Sequence, residues 1–514
     1  MAKSRLLGGF FTVGFWTLAS RVLGFVRDIL IASFLGTGPM HQAFVIAFSL
    51  PNLFRRFFAE GAFNMAFVPL FSKKLESGDH PADFARDAFS GLAFILILLT
   101  IIAQIFMPAL VYAMASGFAG QEQFDLTVAF GRVAFPYIFF ISLAALLSGV
   151  LNANRKYAAA AAAPVLLNVI FVIFIFVAWS MGRDIGWALI WAVPLAGLAQ
   201  MALVWWAAKQ TGFALTPRLP RWTPELKKLT LIAAPAALAG GVVQINLLIG
   251  RQVASYFDGA VSWLYNADRL YQLPLGVVGI AVGIVLLPEL SRQLQSGNDA
   301  GGKDAFSRAT EMSMALVLPS TLALVLIPVP LIEVLFQRGA FTADDTAATA
   351  AAVLIYGLGL PAFVLQKTLQ PLFFAREDTK RPFYYALVAL VVNAAVAIGL
   401  ASSIGFLAAA LGTTLAGWMM VALLWAGARK FGDVARIDAR ARTRIWRMCF
   451  ASAAMGGALY LAQLALGPIF GLPGWRYLAL FLLVSTGIVA YAIFGSLFRA
   501  FSLRELKSSF KRGA

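Results

Sequence analysis

Leu50-Pro-Asn-Leu-Phe-Arg-Arg-Phe-Phe-Ala-Glu-Gly-Ala-Phe63 lies inside an apolar run that continues to Phe71. This stretch carries three charged side chains, Arg55, Arg56 and Glu60. A charge at the centre of a membrane helix costs about 2.5–3.5 kcal/mol on insertion scales, so each one needs a cavity, a partner or a ligand. Arg56 and Glu60 share a helix face, whereas Arg55 lies about 100° away. The stretch therefore predicts a membrane helix in which one cation remains to bind an anion.

The composition predicts an integral membrane protein. Of the 514 residues, 61% are hydrophobic and 13% are charged, whereas charged residues make up about a quarter of a soluble protein. The apolar N-terminal run exceeds the length of a signal peptide and contains Arg21 and Arg27, so we interpret it as a retained first membrane helix. The single cysteine, Cys449, excludes an internal disulfide.

Apolar segments of about 20 residues or more, separated by polar loops, predict an all-α fold with about fourteen transmembrane helices. Their approximate bounds are 8–35, 42–71, 88–115, 126–151, 160–180, 186–208, 229–255, 261–290, 310–335, 346–374, 383–402, 405–428, 446–466 and 475–498. Several contain proline, such as Pro136 and Pro361, which membrane helices tolerate and which permits bending.

The basic residues indicate how these helices are oriented. Most of the 41 lysines and arginines fall in alternate loops, and the opposite loops contain only Arg183, Arg338 and Arg476. By the positive-inside rule, both termini are cytoplasmic and the number of helices is even. Topology therefore accounts for most of the net charge of +17. We expect no nucleic-acid partner, because no separate basic domain remains.

The sequence also contains an internal repeat. Val68-Pro-Leu-Phe-Ser-Lys-Lys-Leu-Glu-Ser-Gly-Asp79 matches Leu287-Pro-Glu-Leu-Ser-Arg-Gln-Leu-Gln-Ser-Gly-Asn298 at an offset of 219 residues, and a weaker similarity joins 151–156 to 373–378. Six predicted helices separate the copies, so both have the same orientation. Parallel repeats of this kind occur in transporters, with the substrate site between them.

We therefore predict two parallel six-helix lobes, residues 1–215 and 216–435, around a central cavity. Residues 436–514 add two transmembrane helices and a basic cytoplasmic tail.

Charged residues inside the predicted helices concentrate in the first, second and eighth. The cations are Arg21, Arg27, Arg55, Arg56 and Arg269, and the anions are Asp28, Glu60 and Asp268. This leaves an excess of positive charge supplied by arginine, whose rigid fork suits phosphate oxygens, and so predicts a site for an anionic ligand. The alternative is a set of salt bridges that only lock the lobes together.

No catalytic constellation is present. The sequence lacks Gly-x-Ser-x-Gly, His-Glu-x-x-His and clustered Cys and His ligands. We therefore expect no enzymatic activity, no cofactor and no metal site. Asn168 and Asn393 lie in apolar helices, where they either line a cavity or bond across helices.

Several motifs are similar to those of the MurJ (MviN) family of lipid II flippases, within the multidrug/oligosaccharidyl-lipid/polysaccharide exporter superfamily. Besides the opening stretch, they are Ser20-Arg-Val-Leu-Gly-Phe-Val-Arg-Asp28, Ala66-Phe-Val-Pro69, Phe135-Pro-Tyr137, Leu151-Asn-Ala153 and Ala267-Asp-Arg-Leu270. The similarity extends over essentially the whole chain.

The resemblance implies a bacterial inner-membrane protein that moves lipid II, an undecaprenyl-pyrophosphate-linked disaccharide-pentapeptide, from the cytoplasmic to the periplasmic leaflet. It places the family's substrate-binding arginines at Arg21, Arg27, Arg55 and Arg269. We expect Asp28, Arg56, Glu60 and Asp268 to form gating or cavity ion pairs while the two lobes rock between inward and outward states. Expected partners are lipid II and membrane lipids, with other cell-wall synthesis proteins as further candidates.

The chain departs from the family at two points. Members often have an Asp at the start of the second helix, where this chain has His41-Gln42-Ala43. Some members also bind sodium through acidic and amide side chains in the C-terminal lobe. The seventh predicted helix of this chain has Gln244 and Asn246 but no acid, which disfavours a sodium site. Two other functions remain open: a drug or polysaccharide exporter of the same superfamily, and a membrane scaffold that transports nothing.

Overall fold

The computed structural model describes residues 2–55, 62–472 and 474–501, and all the regular structure in these ranges is helical. Ten helical segments in these ranges, with Glu122–Ala153 counted as one, are long and apolar enough to cross a membrane. The chain is therefore an all-α, multi-pass membrane protein, which confirms the predicted fold class.

The helices follow one another with short connections. In order they are α1 (Ala2–Leu35), α2 (Pro39–Arg55), α3 (Ala62–Ser77), α4 (Pro81–Ile105), α5 (Met107–Met114), α6 (Glu122–Ala134), α7 (Tyr137–Ala153), α8 (Ala158–Ser180), α9 (Ile185–Gln210), α10 (Pro224–Ala254), α11 (Ala260–Gln295), α12 (Asp299–Leu326), α13 (Pro328–Phe336), α14 (Ala343–Phe374), α15 (Lys380–Gly399), α16 (Ala401–Ile404), α17 (Leu407–Ala428), α18 (Ala439–Phe470) and α19 (Arg476–Leu497). Two 3-10 helices, Ser116–Phe118 and Arg429–Ala435, lie between them.

Prolines explain why some predicted transmembrane segments consist of two helices. Pro108 lies in the first turn of α5, Pro136 separates α6 from α7, and Pro328 begins α13. Because proline has no N–H and clashes with the preceding turn, it interrupts the backbone hydrogen-bond ladder. Pro361, by contrast, lies inside the continuous α14. The predicted count of fourteen transmembrane segments stays a prediction.

One compact unit of the chain comprises Met1–Ser262 with Gly339–Phe341. Within it, α1 packs on α8, both α7 and α8 pack on α9, and α2 packs on α6. Its core includes Phe44, Phe130 and Phe171, which are at most 1% exposed. The rings of Phe44 and Phe171 pack edge to face with centroids 6.0 Å apart, and Ile31 of α1 belongs to the same cluster, so this core joins α1, α2 and α8.

The loop before α10 ties that helix to the same unit. Arg218 donates through Nε to Asp87 Oδ1 at 2.8 Å, and its amide donates to Ser90 Oγ at 3.0 Å. At the start of α10, Leu226 packs against Gly91, where an added Cβ would lie 3.1 Å from Leu226 Cδ2. Residues 216–262, which the repeat assigns to the second lobe, thus pack here with the first unit. The packing of helices into compact units does not test where a sequence repeat begins, so the predicted lobe boundaries stay a prediction.

The second compact unit comprises Trp263–Arg338 and Thr342–Ala514. In it, α17 packs on α14 and α15, and the C-terminal pair α18 and α19 packs on α12 and α13. Ile327, Met455, Leu459 and Leu483 form an apolar cluster at that junction and are at most 3% exposed.

Charged side chains fasten α18 to α12. Arg308 of α12 contacts both Glu311 and Asp438, and Arg444 of α18 donates to Glu311 at 2.7 Å. Asp438 also caps α18 by accepting from the Ala441 amide at 2.6 Å. Burial raises the pKa of Asp438, but the Ala441 amide and the Arg308 charge outweigh it, so the pKa lies below its ordinary value.

Left-handed backbone turns recur along the chain at a nearly constant spacing. Arg155 and Glu377, 222 residues apart, both have a φ of +58°. In both turns this residue's amide donates to the carbonyl three residues earlier, and the next amide donates to the carbonyl five residues earlier, at 2.9–3.0 Å. Glycines with positive φ form further pairs at offsets of 219–223 residues: Gly36 and Gly259, Gly78 and Gly297, Gly120 and Gly339, Gly182 and Gly405, Gly212 and Gly432. The backbone therefore repeats even where the side chains differ.

Candidate functional site

A buried polar cluster connects α1 to α8. Arg27 donates through Nε and Nη2 to Asp28 Oδ1, at 3.0 and 2.7 Å, and through Nη1 to Asn168 Oδ1 at 2.9 Å. Arg27, Asp28 and Asn168 are only 6%, 2% and 4% exposed. All three guanidinium nitrogens therefore have acceptors, and the two opposite charges compensate each other.

Asn168 is oriented by its contacts with α1. Its Nδ2 donates to the Ser20 backbone carbonyl at 2.9 Å, which turns Oδ1 toward Arg27. Gly24 also faces this side chain, and an added Cβ there would lie 3.5 Å from Asn168 Nδ2, an ordinary van der Waals contact. The Phe171 ring centroid is 5.5 Å from Arg27 Cζ, within the range of cation–π attraction. Spacings of three and four residues on α1 and α8 thus bring the cluster together.

The cluster can keep the Arg27 guanidinium paired with Asp28 when no ligand is present and make it available to an anion that displaces Asp28. An isolated charge in an apolar interior costs several kcal/mol, so the Asp28 carboxylate makes a buried Arg27 tolerable. The same nitrogens form a planar fork that suits paired phosphate oxygens. A phosphate that displaced Asp28 would therefore find Arg27 already held in place by Asn168.

The remaining predicted site residues of the first unit lie outside this cluster or outside the described residues. Arg21 is exposed, and Arg55, the last residue of α2, is half-buried. Arg56 and Glu60 belong to residues 56–61, which the structure does not describe.

Asp268 and Arg269 are half-buried on α11 and belong to the second unit. Arg269 Cζ lies 4.4 Å from the ring centroid of Tyr265, so the guanidinium rests on an aromatic face. The predicted convergence of Arg21, Arg27, Arg55 and Arg269 on one cavity joins residues of two units and stays a prediction.

Asn168 is the site residue whose role the sequence left open. The structure shows that it bonds across helices. The sequence signal for this role was an amide inside α8, whose most apolar stretch has a mean hydropathy of 2.7.

Other polar residues noted in the sequence are also buried. Asn393 is fully buried against Gly412 of α17. His41, at the departure from the family pattern, is buried with Nδ1 2.6 Å from the Gly36 carbonyl oxygen. Among the described residues, no group of three or more His, Cys, Asp and Glu side chains is placed to hold a metal ion.

The chain matches a known family over most of its length. A family profile described as "Lipid II flippase MurJ" matches residues 31–484. A Rhizobium tropici protein named "Probable lipid II flippase MurJ" is 45% identical over 473 residues, which cover 91% of this chain and 89% of that protein.

Two solved structures extend the comparison. One, described as "Lipid II flippase MurJ, inward closed conformation", matches with a TM-score of 0.79 at 25% identity and covers 95% of this chain and 98% of its own. A multidrug resistance MATE family transporter of the MOP superfamily, in an inward-facing conformation, has a TM-score of 0.67 at 14% identity, covers 80% of this chain and 94% of its own, and shows the fold alone. Because the profile spans most of the chain and the Rhizobium protein is similar along nearly its full length, the chain belongs to the lipid II flippase MurJ family.

Proposed function

We propose that this protein translocates lipid II from the cytoplasmic to the periplasmic leaflet of the bacterial inner membrane, with both termini in the cytoplasm. The observation that carries the proposal is the family match over residues 31–484. Within the described part of the chain, ten helices long and apolar enough to cross a membrane supply the scaffold, and the distribution of Lys and Arg among the loops favours this orientation.

The buried cluster suggests how the headgroup is handled. A pyrophosphate carries negative charge, and Arg27 is held by Asn168 in a place that an anion can occupy only by competing with Asp28. Asp28 then neutralises the empty site, and the substrate phosphates replace it when they bind. In this exchange Arg27 contacts Asp28 in the empty protein and the substrate phosphates in the loaded protein. A ligand shifts a conformational equilibrium only through such differences in contacts between states, as alternating access requires.

Transport by this route breaks no covalent bond, so the proposed activity is not enzymatic and needs no cofactor. Its partners in this proposal are lipid II and the surrounding membrane lipids, and other cell-wall synthesis proteins remain candidates. The proposed substrate site comprises Arg21, Arg27, Arg55 and Arg269, with Asp28, Arg56, Glu60 and Asp268 as ion-pair partners.

The test is depletion of the protein from its own cells. We expect lipid II to accumulate in the cytoplasmic leaflet, measured by its accessibility to an externally added binding probe in spheroplasts and in inverted vesicles. Re-expression of the wild-type chain should restore the periplasmic pool. An unchanged leaflet distribution after depletion would contradict the proposal.

A drug exporter is the second candidate, because the fold alone, which a multidrug resistance transporter shares at 14% identity, does not separate it from a flippase. Drug-sensitivity profiling of the depleted cells separates the two: an exporter protects against several unrelated compounds, whereas a flippase sensitises cells chiefly to inhibitors of cell-wall synthesis. A scaffold would not need Arg27 and Asp28 buried in the membrane, so loss of viability in an Arg27 variant at normal membrane levels would argue against that role.

A further inference from the structure

The first unit contains a cavity of about 520 Å³ that the proposed transport site does not use. It lies where the N-terminal half of α1, the turn between α7 and α8, and the end of α9 meet. Its polar and aromatic lining includes Thr12, Arg155, Lys156, Tyr157, Trp206 and Gln210. On the orientation proposed above, this end of the helices is at the cytoplasmic face.

Arg155 and Lys156 are fixed in place by the turn that carries them. Arg155 has a φ of +58°, its amide donates to the Asn152 carbonyl at 3.0 Å, and the Lys156 amide donates to the Leu151 carbonyl at 2.9 Å. Both side chains are exposed, and within the part of the chain that the structure describes neither forms a salt bridge with a carboxylate. The cavity therefore carries a local excess of positive charge.

The matching turn of the second unit contains its own anion. There Asp378 stands where Lys156 stands in the first, and its Oδ1 accepts from the Arg381 amide in the first turn of α15 at 3.1 Å. Asp378 also pairs with the Arg381 guanidinium at 3.3 Å. The same carboxylate therefore satisfies the start of α15 and a neighbouring cation.

The first unit has no carboxylate in the corresponding place. Ala159, the counterpart of Arg381, lines the cavity, and Tyr157 gives α8 no side-chain cap. The turn of the second unit is neutralised by its own carboxylate. The corresponding turn of the first unit instead has two cations, the start of the 23-residue helix α8 and an open cavity. An anion from outside the chain would complete the arrangement that Asp378 completes in the second unit.

We propose that this cavity binds the headgroup phosphate of an anionic glycerophospholipid from the cytoplasmic leaflet, as a site separate from that of the transported substrate. Basic pockets at the cytoplasmic interface attract anionic headgroups, and tryptophan at headgroup level anchors the surrounding bilayer. Trp206 is 58% exposed beside the cavity and supplies such an anchor. A glycerol-phosphate headgroup is small, whereas the disaccharide-pentapeptide of lipid II is far larger than a cavity of this volume.

The test is lipid binding to the purified full-length protein, counted by native mass spectrometry during titration with dioleoylphosphatidylglycerol or dioleoylphosphatidylcholine. The variant R155Q/K156Q should bind phosphatidylglycerol at least tenfold more weakly than the wild type, because two charge-assisted hydrogen bonds are lost. The matched control is K227Q/K228Q, which removes two exposed charges at the start of α10 that do not line the cavity. Its affinity should stay within about twofold of the wild type.

Competition with inorganic phosphate identifies the source of the anion. Retention of bound phosphatidylglycerol in the presence of excess phosphate supports a lipid site, whereas its complete displacement would assign the cavity to a soluble phosphate. Equal losses in the two double variants, or equal wild-type affinity for both lipids, would overturn the proposal. The single variant K156Q, which leaves the Arg155 turn intact, should lose part of the affinity and guards against misfolding of the double variant. None of these readouts depends on transport, so they fail or succeed independently of the proposed flippase activity.

Discussion

The turn at residues 151–156 and the turn at residues 373–378 follow the same backbone path but carry opposite charges. Both have a residue at φ +58° in the fifth position and the same pair of amide-to-carbonyl hydrogen bonds. The first turn places Arg155 and Lys156 there, and the second places Glu377 and Asp378. The backbone repeat therefore does not decide the charge.

The difference bears on how the basic loops are interpreted. The positive-inside rule counts lysine and arginine and gives acids little weight, so the second turn satisfies it through Arg376, Lys380 and Arg381 despite its two acids. The proposed phospholipid site would give the basic pair of the first turn a role besides orientation. The two-lobe division of the chain stays a prediction.

The largest expected effect concerns Arg27, whose fork binds two different acceptors. Arg27→Lys keeps the charge but cannot contact Asp28 and Asn168 in the same planar geometry, so we expect growth to fail or slow severely in cells depleted of the native protein. Arg27→Ala should be at least as harmful, since it leaves Asp28 as an uncompensated buried charge. Complementation, with membrane levels of each variant checked, is the measurement.

The control is Lys73→Gln, because Lys73 is exposed and in a cytoplasmic position by the proposed topology. We expect normal growth. Lys74 is a poorer control, since it pairs with Asp79 at 2.7 Å. Full growth of Arg27→Lys at normal expression would mean that the site needs only positive potential, and the phosphate-fork mechanism would be abandoned.

The next effect tests the two turns by exchanging their charges. The variant R155E/K156D gives the first turn the acids of the second, and because both turns share one backbone, we expect the protein to fold with unchanged helicity. Binding of phosphatidylglycerol should fall at least tenfold, while phosphatidylcholine binding stays constant. A variant that unfolds would show that the two turns are not equivalent.

The fold class and the similarity between residues 151–156 and 373–378 could be predicted from sequence, because apolar length and repeated motifs are properties of the chain itself. The bond from Arg27 to Asn168 could not, since periodicity tells which residues of one helix share a face but not which other helix that face meets. The packing of α10 with the first unit was unpredictable for the same reason. It depends on Arg218 reaching Asp87, a contact between residues far apart in the sequence.

A smaller effect is expected at Asp438, where the second unit holds the C-terminal helix pair. Its pKa lies below the ordinary value in the folded protein, so its stabilising charge is present above the ordinary aspartate pKa of about 3.9 and is lost as pH falls through the lowered value. Asp438→Asn keeps a capping side chain and should flatten the decline in melting temperature between neutral pH and pH 3. Asp438→Ala should also lose the cap, at a cost of about 1 kcal/mol. An unchanged pH dependence in Asp438→Asn would rule out this carboxylate as the source.

The smallest effect asks whether the two halves are equivalent at a matching pair of left-handed glycines. Gly78 and Gly297 have φ values of +69° and +70°, and a Cβ at either position would meet nothing within 4 Å. Substitution by alanine therefore costs only the strain of a left-handed backbone, about 1–2 kcal/mol, and the cost should be equal at both sites. Thermal unfolding of the purified variants measures it. Gly14→Ala, in an open helical position of α1, is the matched control and should be neutral or slightly stabilising. Unequal losses at Gly78 and Gly297 would mean that equal dihedral angles conceal different local stabilities, and the repeated turns could then no longer serve as internal controls for each other.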